Sequence, residues 1–97
     1  MLNIQSVDKE ILLITQEECA EVSQAISKVF RFGLTECHPT TKINNQAHLE
    51  EEIGDLLCMI ELMMNSNIIN KEACEAARLQ KLNKLTKWST IFKEKTE

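Results

Sequence analysis

Glu18 and Glu21 stand three residues apart in Glu17-Glu18-Cys19-Ala20-Glu21, and Glu52 and Asp55 repeat that spacing in Glu51-Glu52-Ile53-Gly54-Asp55. On a helix, residues so spaced share a face, with Cβ atoms roughly 5–6 Å apart. Two like charges about 4 Å apart repel by roughly 4 kcal/mol at an effective dielectric of about 20. Folding alone gives no reason to build that repulsion twice. A divalent cation does, because Mg²⁺ is hard, prefers oxygen, and is held by carboxylates together with waters and phosphates. If the two helices pack with these faces together, Glu18, Glu21, Glu52 and Asp55 converge on one metal site. For either pair alone, a solvated acidic face is the plainer reading. Against it, Asp55 is a poor helix-interior residue set in the apolar run Ile53 to Ile60.

Carboxylates in a helical bundle also hold paired irons, but that chemistry uses Glu-x-x-His. Neither His38 nor His48 has a Glu three residues before it. Mg²⁺ is therefore the expected ion, with Mn²⁺ as a substitute. Cations follow the carboxylates along the chain. Lys28 and Arg31 come after the first pair, and Arg78, Lys81 and Lys84 recur at three-residue spacing near the C-terminus. Metal-binding carboxylates with nearby Lys and Arg are what phosphoryl chemistry needs, since metal and cations share the phosphate charge. Lys28, Arg31, Arg78, Lys81 and Lys84 are the cations such a site would draw on; as single residues, each also reads as an ordinary solvated helix charge. No Gly-rich phosphate loop and no Ser/His/Asp or Cys/His nucleophile arrangement is present.

The elements that must position these groups are helical. Two Gly, one Pro and few aromatics in 97 residues leave little strand or turn signal. The first helix is expected over about Val7 to Phe32, with Ser6 as N-cap and Gly33 as the C′ glycine that ends it. Thr35 to Asn44, containing Pro39, is a loop, and Asn44 or Asn45 offers the next N-cap. The second helix is expected from about Gln46 to Met64, and Asn65-Ser66-Asn67 breaks it. Gly54 inside that helix costs roughly 1 kcal/mol relative to Ala, which points to close approach by another helix, a metal or a ligand. The third helix is expected after Asn70 to about Lys87, followed by a short extra helix or a frayed tail from Trp88 to Glu97.

This length allows one domain, residues 1–97, with a thin core that oligomerisation commonly supplements. A net charge of -4 argues against a grip on duplex nucleic acid, which needs a basic stripe. Cys19, Cys37, Cys58 and Cys74 match no zinc spacing. Cys19, Cys58 and Cys74 read as buried free thiols, and Cys37-His38 as a weak site for a soft metal. Free thiols fit a reducing cytosol. The N-terminal residues do not form a signal peptide, and no apolar run approaches the roughly 20 residues a membrane span requires. The expected location is cytoplasmic.

Glu-Glu-x-x-Glu, a loop, then Glu-Glu-x-x-Asp with an apolar run resembles the MazG-like group of all-α nucleoside triphosphate pyrophosphohydrolases, over about Thr15 to Lys87. The resemblance implies that Glu18, Glu21, Glu52 and Asp55 are the Mg²⁺-binding, catalytic carboxylates. It implies hydrolysis of a (d)NTP to the monophosphate and pyrophosphate. It also implies a homodimer or homotetramer, in which an antiparallel bundle of three main helices is completed to a four-helix core. Basic residues of the third helix meet phosphates in such proteins, which gives Lys81 and Lys84 their role. Two departures stand out: the stretch from Glu21 to Glu52 is slightly long, and Leu56-Leu57-Cys58-Met59 lacks a polar helper after Asp55. Phosphoribosyl-ATP is the alternative substrate. A non-catalytic helical dimer that binds nucleotides or a protein is the alternative class. Phe32 and Trp88 are candidates to stack on a base, although apolar packing is the plainer role for both.

Overall fold

A computed structural model describes residues 6–93. Three helices account for three quarters of these residues: α1 (Ser6–Phe32), α2 (Asn45–Asn65) and α3 (Lys71–Trp88). The fold is all-α, as the sequence predicts. Asn44 caps α2 by accepting from the Ala47 amide at 2.8 Å, and Asn70 caps α3 by accepting from the Ala73 amide at 2.8 Å. Gly33 takes φ +87, and its amide donates to the Val29 carbonyl at 2.8 Å. That is the left-handed exit glycine allows without Cβ strain. Ser6 is the first residue of α1 rather than its cap. The chain after Trp88 makes a turn at Ile91 and Phe92 and no further helix up to residue 93. The expected tail beyond that lies outside the described residues.

The expected loop is a built structure. Cys37 and Asn44 form an isolated antiparallel bridge, and the His38 amide donates to the Ile43 carbonyl at 2.9 Å. His38 Nδ1 accepts from the amides of Thr40 and Thr41 at 3.1 and 3.3 Å, and Lys42 takes φ 63 to close the turn. The amides of Asn45 and Gln46 donate to Glu36 and Leu34 carbonyls, and Asn45 Nδ2 donates to the Gly33 carbonyl at 2.9 Å. These bonds pin the end of α1 to the start of α2, so α2 runs back along α1.

The two helices meet along a seam of period about 3.5, the spacing that keeps one stripe facing a partner helix. On α1 it holds Ile11, Thr15, Glu18, Val22, Ala25 and Val29, and on α2 Leu49, Glu52, Leu56, Met59 and Met63, all buried or half-buried. Ala25, fully buried, lets the backbones come close, and Ile11 and Met59 complete the small core. Two seam positions are occupied by carboxylates, Glu18 and Glu52.

Helix α3 packs along neither α1 nor α2. Its residues are exposed apart from half-buried Cys74 and Leu85. The radius of gyration is 17.2 Å, whereas a compact chain of this length has about 12.5 Å. No described helix is long and apolar enough to cross a membrane.

Candidate functional site

Glu18 comes from the middle of α1, and Glu52 and Asp55 from adjacent turns of α2. Because α2 returns along α1 from a pinned loop, these positions fall at the same height. One side-chain oxygen from each of the three lies within 4.8 Å of the others. Glu18 and Glu52 are half-buried and Asp55 is exposed, so the cluster opens outward from the seam. Glu21, one turn on from Glu18, is exposed and lies outside this group of three. It is still close enough to act on Glu18 electrostatically.

Glu18 shows the strain of the arrangement. Its placement at the helix contact pushes its carboxyl above the ordinary carboxylate value, and Asp55, Glu52, Glu21 and Glu17 push the same way. No Lys or Arg forms a salt bridge with any of these groups among the described residues. One polar neighbour is present. His48 Nε2 lies 3.3 Å from Glu52 Oε1, one turn before it on α2. The contact is an ion pair when the imidazole is protonated. His48 was missed from the sequence, although its i,i+4 spacing to Glu52 was the available signal.

The donor set suits a hard divalent cation. It offers carboxylate oxygens alone, from two rigid elements, with an open side where waters or phosphate oxygens complete the shell. Cys19 and Cys58, expected to be buried, are exposed, because the two-helix contact is one seam wide and covers neither. Cys37 is exposed too, and the Nδ1 of His38 accepts from two backbone amides, which builds the turn. Gly54 also departs from expectation. A Cβ added there meets nothing within 4 Å, so among the described residues no other element approaches it.

The candidate substrate cations are dispersed. Lys28 is half-buried and lines a groove of about 660 Å³ beside the cluster, with Phe32, His38, Ile43, His48 and Glu51. That volume is within the range of small-molecule sites. His48 joins the groove to Glu52. Arg31 lies farther along α1, exposed, its guanidinium 5.2 Å from the centre of the Phe32 ring. Lys81 and Lys84 are exposed on α3 and are not brought to the cluster by their own chain.

The conserved-domain description of MazG nucleotide pyrophosphohydrolases matches residues 6–88, from the first described residue of α1 to the last of α3. The chain belongs to the MazG nucleotide pyrophosphohydrolase domain family. Membership assigns it to nucleotide pyrophosphohydrolases, a class of hydrolases that is generally divalent-metal dependent. The MazG match covers both carboxylate pairs, the groove and α3 in one span. Neither curated proteins nor solved structures give a significant match to the chain.

Proposed function

We propose that the chain, acting as one domain over residues 1–97, is a Mg²⁺-dependent pyrophosphohydrolase that cleaves the α–β phosphoanhydride of a (d)NTP, releasing the monophosphate and pyrophosphate. One observation carries this reading: three carboxylates from two helices converge within 4.8 Å with no Lys or Arg salt bridge to offset them. Glu18, Glu52 and Asp55 would hold the ion, with Glu21 reaching in from the exposed turn. A bound Mg²⁺ supplies charge neutralisation on the phosphate chain and a more acidic bound water. The chain's own residues do the remainder. Glu52, steadied by His48, keeps its carboxylate at the seam. Glu18 or Glu21 orients and deprotonates the attacking water. Lys28 and Arg31 offer charge to the triphosphate or its leaving group, and the groove beside them takes the nucleoside end.

The protein would work as a homodimer or homotetramer in the cytoplasm, without duplex nucleic acid. Exposure supports the oligomer. The accessible surface is 8198 Å², against about 5,700 Å² for a folded monomer of this mass.

The test is a panel of standard and modified (d)NTPs and phosphoribosyl-ATP with Mg²⁺ or Mn²⁺, monitored for pyrophosphate and monophosphate. Release of both from at least one (d)NTP is expected. Release of orthophosphate alone would overturn the bond assignment. Mg²⁺ at tenfold excess over its Kd should stabilise the folded state by about 1.4 kcal/mol, a melting shift of several degrees for a domain this small.

A further inference from the structure

The loop between α1 and α2 builds a small platform. Around the bridge of Cys37 with Asn44, the His38 amide donates to the Ile43 carbonyl at 2.9 Å and the Asn45 amide to the Glu36 carbonyl at 3.0 Å. In such an antiparallel ladder Glu36 stands opposite Asn45 and His38 opposite Ile43, and alternate residues share a face. Glu36, His38, Ile43 and Asn45 therefore rise from one side, and all four line the groove beside the carboxylate cluster. Asn44 belongs to the other side, where it caps α2.

Hydrogen bonds fix what this face offers. Nδ1 of His38 accepts from the amides of Thr40 and Thr41, so the ring proton sits on Nε2 and that atom is a donor. Asn45 Nδ2 donates to the Gly33 carbonyl, which leaves its Oδ1 as an acceptor. The Glu36 carboxylate forms no salt bridge among the described residues and offers two acceptor oxygens. Two acceptor groups thus stand side by side across the ladder, with a donor next to them along the strand. Ile43 adds an apolar patch, and Phe32 lines the same groove with the Arg31 guanidinium over its ring. Along α2, Asn45 precedes Glu52 by about 10 Å of helix axis, which leaves room for a sugar between a phosphate at the cluster and a base at the platform.

We propose that this groove selects guanine among the standard bases, with Glu36, His38 and Asn45 as the residues that read it. The inference rests on the nucleotide-hydrolysing reading of the carboxylate cluster. Guanine alone presents two adjacent donors, N1–H and the 2-amino group, followed by an acceptor, O6. The two donors meet the Glu36 carboxylate and Asn45 Oδ1, and O6 accepts from His38 Nε2. Adenine and cytosine carry one amino group next to a ring-nitrogen acceptor, so they leave one of the two acceptor groups unpaired. Uracil and thymine carry one N–H between two carbonyls, so a carbonyl faces an acceptor. An unmade or repulsive contact of this kind is what lets a polar site reject an analogue. Phe32 and Ile43 hold the faces of any base, as stacking surfaces do. The choice lies at the base edge.

Calorimetric titration of the full-length protein, in Mg²⁺, with dGMP, dIMP, dAMP, dCMP and dTMP reads the choice without turnover. The monophosphate dGMP should bind tightest. Its analogue dIMP, which differs only in lacking the 2-amino group, should bind about tenfold more weakly, the low end for a hydrogen bond to a charged group. Glu36→Ala should bring dGMP and dIMP to equal affinity. The helical circular dichroism signal should be retained, since Glu36 is exposed and its ladder bond uses the backbone carbonyl. The isosteric Glu36→Gln should narrow the same preference, which covers a loss of fold in the alanine variant. Equal affinity of the wild type for all five, preference for another base, no binding of dGMP at millimolar concentration, or a preference untouched by both variants would overturn the proposal. If no triphosphate were cleaved while dGMP still bound selectively, the pyrophosphohydrolase reading would fall and the guanine site would stand. Cleavage of (d)NTPs without choice of base would do the reverse.

Discussion

The α1/α2 pair and α3 are built from similar ingredients and reach opposite outcomes. Both are helical, and both carry leucines and charges at helical spacing. The pair has a continuous seam of period about 3.5, loop hydrogen bonds that fix its register, and a fully buried alanine at its closest approach. Helix α3 has a well-made N-cap and an ordered entry turn, yet buries no side chain fully. The difference teaches that local signals make a helix and a matching stripe makes a layer. The pair spends part of its stripe on Glu18 and Glu52, which weakens the core and creates the site. Helix α3 keeps its cations in water, where they are available to another surface.

The comparison breaks first at the carboxylate cluster. Glu52→Gln and Asp55→Asn should each lower turnover by about 100-fold or more, as losing one charge-stabilising group from an active site does. The helical circular dichroism signal should survive, because removing a repelling charge relieves the cluster. Glu21→Gln should also lose activity; full activity there would confine the site to the three residues that converge.

A middle-sized effect is expected at His48. His48→Ala leaves Glu52 without its neighbour at 3.3 Å. Turnover or Mg²⁺ affinity should fall about tenfold, the low end for a residue that orients a metal ligand. Measuring kcat at saturating Mg²⁺ separates the two, and no change in either kcat or the Mg²⁺ titration would remove His48 from the site.

The smallest effect belongs to α3. Arg78 grips Glu75 through Nε at 2.9 Å and through its terminal nitrogen at 2.6 Å, with both side chains more than half exposed. The hydrogen bond from Arg78 lowers the Glu75 carboxyl below its ordinary value. A lowered folded-state value means that the pair stabilises the fold above the unfolded value and loses that effect as pH falls through the folded one. Arg78→Ala should therefore cost a slight drop in melting temperature at neutral pH, and the gap between variant and wild type should close in acid. A large drop at neutral pH would mean that Arg78 is engaged beyond its own helix.

Much of the fold was legible in the sequence because its signals are local. Asn44 and Asn70 cap as asparagines do, and Gly33 supplies the left-handed exit that ends α1. The convergence of Glu18 with Glu52 and Asp55 followed from putting two three-residue spacings on facing helices. Other features depended on long-range geometry. The exposure of Cys19 and Cys58 and the open space at Gly54 reflect a contact one seam wide, which composition does not reveal. The loop hid its order because backbone bonds such as Asn45 to Glu36 leave no mark on residue type.

The sequence by itself determined the helices, their approximate ends, and the carboxylate spacing on which the proposed chemistry rests, because propensity, capping and period act within a few residues. Only the tertiary structure decided which carboxylates meet, that His48 stands beside Glu52, and that Lys81 and Lys84 lie on a helix apart from the site. Those depend on the register between α1 and α2 and on the turn at Asn67, and register is set by many packing contacts at once.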